Sequence, residues 1–117
     1  MPEPAIFDVP LPIVIDPEFS KLLPPLGARA YVALQQDMKR HGCLQPLAFW
    51  EHEGQLILLD GHQRFFTCKH HYLPFDYVLI EGLETREDAM IWILQNALGR
   101  RHLTDEAHAA LRLQYAR

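Results

Sequence analysis

The chain has 117 residues, a formal net charge of −4 and 49% hydrophobic residues. This length and composition predict a single globular domain over residues 1–117, with a core of modest size. The negative charge excludes the basic surface field that drives strong DNA binding. We expect a cytoplasmic protein without membrane contact, because no apolar run is long enough to cross a bilayer and the first residues lack a signal-peptide pattern.

The first predicted elements are a short strand and a helix. The apolar run at residues 13–15 lies among prolines, which predicts an edge strand because proline cannot donate to a ladder. A helix is predicted for residues 27–41, with Gly42 as its C-cap. The predicted buried stripe of this helix contains Ala30, Tyr31, Val32, Leu34 and Met38.

A β-hairpin is the next predicted element. Residues 47–50 and 56–59 are predicted strands, joined by a turn at 52–55 in which Gly54 can take a positive φ. The second strand is apolar at every position, which predicts burial on both faces of the sheet. A helix is then predicted for residues 62–71.

The remaining predicted elements are a strand and two helices. The strand spans residues 75–80, and Thr85 is the predicted N-cap of the next helix, because Asp88 stands three residues on as in a capping box. The buried stripe predicted for that helix is Met90, Ile93, Leu94 and Ala97. Gly99 is predicted to break the helix and Thr104 to begin the last one.

The order of these elements predicts an α/β or α+β domain with a small mixed sheet, flanking helices and C-terminal helices. The last predicted helix still has apolar positions in need of a partner surface near Arg117. We therefore expect the sequence to be part of a longer natural protein.

The segment Asp60-Gly61-His62-Gln63-Arg64 joins the buried strand to a helix and is the main candidate site. The first N–H groups of a helix lack intrahelical acceptors, and the helix dipole adds positive charge, so such a turn can bind phosphate. Gly61 would let a phosphate approach the backbone, and Arg64 offers a forked guanidinium. His62 could supply a hydrogen bond or a proton, and Asp60 could hold a ribose hydroxyl, a metal ion or act as general base.

The alternative is an ordinary Asp-Gly turn, in which Asp60 caps the helix and Arg64 is a surface residue. A second candidate is the basic connection Arg100-Arg101-His102, where closely spaced positive charges favour a bound anion. It could equally be a solvated turn whose arginines bond the carbonyl groups at the preceding helix end.

The cysteines predict neither a disulfide nor a metal site. Cys43 and Cys68 are too few for a disulfide framework, so both are predicted to be small buried apolar residues. The run Cys68-x-His70-His71 lacks the paired ligand spacing of zinc sites, so no metal-binding side chains are predicted from it.

Three segments, taken together, resemble the ParB/sulfiredoxin-like superfamily: residues 42–47, 58–64 and 96–104. The similarity is greatest to the ParB-type N-terminal domains of plasmid partition and replication-related proteins. It spans residues 13–117. The resemblance implies a ParB/sulfiredoxin-like fold that binds a nucleoside triphosphate, CTP or ATP, with Mg²⁺ as a further expected ligand. It also implies a homodimer, and DNA binding only through regions outside this chain.

The resemblance also implies roles for particular residues. Gly61 and Arg64 correspond to contacts with the triphosphate. Asn96 and Arg100 correspond to a motif that holds further phosphates and a magnesium ion, and Gln45 and Pro46 correspond to the nucleoside side. The complete set of candidate nucleotide-binding residues is Gln45, Pro46, Gly61, His62, Gln63, Arg64, Asn96, Arg100 and Arg101. The candidate catalytic residues are Asp60 and His62.

The sequence leaves alternatives to a ParB-like nucleotide-binding domain. Free serine kinases carry an Asp-Gly-His-Thr-Arg turn similar to residues 60–64, which implies phosphoryl transfer or nucleotide hydrolysis with Asp60 as base. Sulfinic-acid reduction is not expected, because His62 stands where sulfiredoxins have their catalytic cysteine. A non-catalytic interaction domain is the third alternative, since Arg64 replaces a pair of arginines and Gln95 replaces the usual glutamate.

Overall fold

The computed structural model describes residues 9–101, with only the backbone described for Arg100 and Arg101. The elements in chain order are β1 (Ile13–Val14), α1 (Pro17–Ser20), α2 (Ala28–His41), β2 (Leu47–His52), β3 (Gln55–Asp60), α3 (His62–His71), β4 (Tyr77–Leu79) and α4 (Arg86–Arg101). They form an α+β fold around a small mixed sheet, as the sequence predicted. No helix in this part of the chain is long and apolar enough to cross a membrane.

The sheet has four strands in the order β1-β3-β2-β4. The hairpin strands β2 and β3 are antiparallel, whereas β1 pairs parallel to β3 and β4 pairs parallel to β2. The edge position predicted for residues 13–15 is confirmed. The hairpin turn is tighter than predicted, because His52 and Gln55 pair with each other. The loop is Glu53-Gly54, with φ angles of 52° and 74° that suit the twist of a two-residue hairpin.

Both faces of the sheet are buried, as predicted from the apolar run in β3. Side chains alternate along a strand, so Ile57 and Leu59 face one side while Leu56 and Leu58 face the other. The first face packs with Phe19, Trp50, Ala89 and Ile93. The second packs with Leu47, Phe49 and Phe65. The sheet thus separates a layer formed with α1 and α4 from a layer formed with α3.

The helix α1 was not predicted. Asp16 is its N-cap and accepts from the N–H groups of Glu18 at 2.9 Å and Phe19 at 3.2 Å, with Pro17 at the first helical position. Arg86 at the start of α4 donates to Asp16 at 2.7 Å and to Glu18 at 2.6 Å. Its guanidinium carbon also lies 4.7 Å from the centre of the Phe19 ring. These contacts fasten the proline-rich segment to α4.

Removing Asp16 is expected to lower stability in a pH-dependent way. The pKa of Asp16 is held below its usual 3.8, first by the hydrogen bond from Arg86 and against the opposing effect of burial. Because the pKa is lower in the folded state than in the unfolded state, the ionised carboxylate stabilises the fold at any pH above the unfolded-state pKa. This stabilisation is lost as the pH falls through the folded-state pKa. Asp16→Ala is expected to cost about 1–2 kcal/mol at pH 7 in denaturant titrations, because it removes the cap and the ion pair.

The matched control is Asp16→Asn, which can still cap α1 but resembles the protonated acid. The stability difference between wild type and this variant should shrink as pH falls below about 4. A difference that stays constant from neutral to strongly acidic pH would contradict the role given to the Asp16 carboxylate.

The capping box of α4 is confirmed, but its predicted end is wrong. Asp88 N–H donates to Thr85 Oγ1 at 3.1 Å, and Thr85 N–H donates to Asp88 Oδ2 at 3.2 Å. The helix continues through Gly99 to Arg101. One glycine costs a helix only about 1 kcal/mol relative to alanine, which is too little to end a helix by itself. Arg100 and Arg101 therefore lie in a helix rather than in a connecting turn.

The predicted buried stripes of α2 and α4 are only partly correct. In α2 the C-cap at Gly42 is confirmed, but Met38 is the fully buried residue, while Val32 is 51% exposed. In α4 the buried positions are Ala89, Ile93 and Ala97, whereas Leu94 is exposed. The predicted strand at 75–80 is shortened to Tyr77–Leu79. The last predicted helix, from Thr104, lies outside the described residues.

Candidate functional site

The candidate turn begins at an irregularity in the hairpin. Phe49 pairs with Leu58, but Ala48 pairs with Asp60, so Leu59 is an extra residue on β3. A bulge of this kind bends the strand and changes the direction of the side chains that follow. Asp60 therefore ends β3 directly before the left-handed residue Gly61, which leads into α3.

Gly61 is the N-cap of α3, with φ 96° and ψ 30°. A Cβ added at this position would lie 2.5 Å from Leu47 Cδ2, and Leu47 is fully buried. Both the left-handed backbone and the packing of β2 therefore require glycine here. Close approach of a phosphate, which the sequence suggested as the reason for this glycine, is not needed to explain it.

The first turn of α3 offers backbone donors to the region in front of it. Phe65 N–H donates to Gly61 O at 2.8 Å and begins the helical bonding. The N–H groups of His62, Gln63 and Arg64 precede that first bond and have no acceptor within the helix. Gly61 has no side chain with which to cap them.

His62 is the most unusual side chain of the turn. Its Nε2 atom is buried and has no hydrogen-bond partner within residues 9–101. Burial lowers the pKa of His62 below its ordinary value, while the nearby Asp60 carboxylate raises it in part. His62 is therefore a neutral imidazole at pH 7. A buried polar atom without a partner is costly and points to a missing hydrogen-bonding group.

A cavity of about 890 Å³ opens in front of this turn. All five residues of the turn line it, together with Phe19, Ser20, Lys21, Leu23, Pro24, Pro25, Leu26, Ala30, Ala33, Leu34, Asp37, Leu59 and Ile93. The cavity thus lies between the end of α1, the proline segment, α2 and the start of α3. Its volume is within the range of sites that hold cofactor-sized ligands.

Charged groups of both signs line the cavity. Lys21 and Arg64 contribute positive charge, and Asp37 and Asp60 contribute negative charge. Asp37 Oδ1 lies 4.0 Å from His41 Nε2 on the next turn of α2. The cationic groups and the start of α3 suit a phosphate, while carboxylates suit hydroxyl groups or a cation.

Among the described side chains, the other predicted site residues, Gln45, Pro46 and Asn96, do not line this cavity. Gln45 and Pro46 are exposed in the segment between α2 and β2. Asn96 is partly buried on α4, one turn after the lining residue Ile93. Position 100 follows two turns after Ile93, and the side chains of Arg100 and Arg101 are not among those described. The structure therefore brings residues 60–64 together at one cavity, and Gln45, Pro46 and Asn96 are not part of its lining.

Lys21 and Asp37 line the cavity and were not predicted. Lys21 is the C-cap of α1. If Asp16-Pro17 had been recognised as a helix start, Lys21 would have been predicted at the end of a short helix and not in an extended segment. Asp37 carries no such signal, because a polar residue within an amphipathic helix is ordinarily a solvent-facing one. Its position beside α3 depends on how α2 packs.

A smaller cavity of about 390 Å³ lies elsewhere, lined by residues 9–13 together with Phe65 and Lys69. It contains none of the predicted site residues. No group of three metal-ligating side chains occurs within the described part of the chain. Comparison with known proteins makes no assignment, since no protein-family model and no curated protein matches the chain.

Proposed function

We propose that this chain binds a nucleoside triphosphate, CTP or ATP, as the nucleotide-binding domain of a ParB-like partition or replication-related protein. The observation that carries the proposal is the position of residues 60–64. All five of them line one cavity of about 890 Å³ at the start of α3.

The start of α3 supplies the phosphate-binding chemistry in this proposal. Its first N–H groups and the helix dipole favour an anion. Arg64 stands in the first turn of the same helix and also lines the cavity. Its planar guanidinium can bind two phosphate oxygens at once.

The apolar part of the lining suits the rest of a nucleotide. Leu26, Ala30 and Leu34 belong to that part, and a base could pack against them. Asp37 or Asp60 could accept hydrogen bonds from ribose hydroxyls. Any Mg²⁺ would be held mainly by the triphosphate, because magnesium usually combines one or two carboxylates with substrate phosphates. The lining carboxylates are compatible with that arrangement.

The test is calorimetric titration of the protein with CTP, ATP, ADP and GTP in the presence of Mg²⁺. Wild type is expected to bind at least one of the triphosphates. Arg64→Ala should weaken that binding by about 10- to 100-fold, as for loss of hydrogen bonds to a charged group. Higher salt should weaken wild-type binding as well.

Arg40→Ala is the matched control, because Arg40 is an exposed arginine of α2 that does not line the cavity. It removes the same charge and should leave affinity within about twofold. Binding of no nucleotide by wild type would refute the proposal and favour an interaction domain. Equal losses for Arg64→Ala and Arg40→Ala would refute the assignment of the site.

Phosphoryl transfer is a second candidate, supported by the closeness of Asp60 to the neutral imidazole of His62. Asp60 would accept the proton of a substrate hydroxyl while that oxygen bonds to the γ-phosphorus and the bond to the β-phosphate oxygen breaks, leaving a nucleoside diphosphate. Incubation with ATP, Mg²⁺ and free serine would then yield phosphoserine. The product should be lost in Asp60→Asn, and unchanged turnover in that variant would exclude Asp60 as the base.

A further inference from the structure

Helix α4 exposes a row of large aliphatic side chains. Ile91, Leu94 and Leu98 are 52%, 42% and 58% exposed. They follow one another at intervals of three and four residues, so they lie on one face of the helix, here called the α4 stripe. Isolated exposed aliphatic residues are ordinary on protein surfaces, but a continuous row of them is typical of a contact surface.

The α4 stripe is separate from the face with which α4 packs into the core. That face is formed by Ala89, Ile93 and Ala97, which are buried at intervals of one helical turn. A helix at the surface of a domain ordinarily has one apolar face and one polar face, whereas a helix that is covered on both sides is apolar on both. The second apolar face of α4 therefore indicates a further packing partner.

We propose that residues 104–117 of the same chain form a helix that packs antiparallel on the α4 stripe. Helix α4 ends at Arg101, and Thr104 is the predicted N-cap of the next helix, which lies outside the described residues. Only His102 and Leu103 would connect the two helices, and connections this short join antiparallel neighbours. The covalent connection also keeps this segment near the stripe at a high effective concentration, which a separate partner lacks.

The sequence of the segment matches the α4 stripe in register. In an antiparallel hairpin, positions equally far from the connection lie level with each other. Leu98 would thus lie level with Ala107, and one turn further from the connection Leu94 would lie level with Leu111. Ala107, Ala110 and Leu111 are spaced as one helical face. Small alanines facing large aliphatic side chains let the two helices approach and interdigitate.

The charges of the two segments are complementary in the same register. Asp105 would lie level with Arg100 near the connection. At the other end, Arg117 would lie level with Asp88 and beside the exposed Glu87. Each exposed ion pair contributes little stability, but opposite charges at both ends favour this alignment over a shifted one.

Denaturant unfolding of the full chain tests whether the α4 stripe is covered. Leu98→Ala should lower the folding equilibrium constant by about tenfold or more, because it would leave a cavity between two packed helices. Leu44→Ala is the matched control, since Leu44 is 76% exposed and lies outside α4. It should change the constant by no more than about threefold. Equally small effects of the two variants would overturn the proposal.

A double-mutant cycle tests whether residues 104–117 provide the cover. If Leu94 and Leu111 contact each other, the double variant Leu94→Ala/Leu111→Ala should lose less stability than the two single losses combined, by a factor of about three or more. Independent losses would overturn the proposal. So would a wild-type stability that rises with protein concentration and loses that dependence in Leu98→Ala, because the stripe would then be covered by a second copy of the chain.

Amide hydrogen exchange gives a readout without a substitution in the segment. The backbone amides of residues 108–116 should be protected in wild type and should exchange at least about tenfold faster in Leu98→Asp, which places a charge in the contact. Unprotected amides in wild type would overturn the proposal. None of these measurements requires a nucleotide, so they stand or fall separately from the proposed function.

Discussion

Gly61→Ala is expected to destabilise the protein by about 2–5 kcal/mol, from the cost of a left-handed alanine together with overpacking. The backbone of Gly61 has φ 96°, and a Cβ there would lie 2.5 Å from Leu47 Cδ2. Leu47 is fully buried, so its side chain can shift only if its packed neighbours also adjust. The loss is large compared with the total stability of about 5–15 kcal/mol of an ordinary domain.

Two other glycines make this prediction specific. Gly82 has a similar φ of 85° but no atom within 4 Å of a built Cβ, so Gly82→Ala should show only the conformational cost, of about 1–2 kcal/mol. Gly99 lies within α4 and is equally open, so Gly99→Ala should be neutral or stabilising by up to about 1 kcal/mol. Denaturant titrations would rank the three variants. If Gly61→Ala proved no worse than Gly82→Ala, the contact with Leu47 would not be a constraint.

The second large effect is expected for Phe19→Ala, at about 3–5 kcal/mol. Phe19 is 1% exposed, and its ring centre lies 6.4 Å from that of Trp50. The guanidinium carbon of Arg86 lies 4.7 Å from the centre of the same ring. Removal of the ring would leave a cavity beneath α1 and would also weaken one wall of the large cavity, which Phe19 lines.

Phe66→Ala is the matched control for this substitution. Phe66 is 39% exposed on α3 and should lose only about 1 kcal/mol. Thermal and denaturant unfolding of both variants would measure the difference. Similar losses for the two variants would mean that the segment at residues 16–23 is not part of the core, contrary to the packing described here.

Local patterns predicted much of this fold because the features concerned depend on residues that are close together in the sequence. The bounds of α3 agree with the prediction, and so does the burial of β3 on both faces. The capping box at Thr85 is also confirmed, since both of its hydrogen bonds join residues three positions apart. Each of these features depends on periodicity or on neighbouring residues, which a sequence displays directly.

The failures arise where distant residues change a local preference, or where a local signal is too weak to decide the structure. The prolines suggested an extended N-terminal segment, but Asp16 caps a short helix that Arg86 holds in place across 70 positions of sequence. Gly99 suggested a helix end, but α4 continues through it. A single unfavourable residue costs about 1 kcal/mol, which tertiary packing readily exceeds.

The candidate site combines both kinds of information. The sequence by itself determined that a buried strand turns through Asp60-Gly61 into a helix, because hydrophobic runs and turn residues are local signals. Only the tertiary structure decided that Lys21 and Asp37 line the same cavity as this turn, that His62 Nε2 is buried without a partner among residues 9–101, and that a Cβ at Gly61 would meet Leu47. These depend on the packing of α1, α2 and β2 against one another, and contacts between distant segments leave no periodic pattern in the chain.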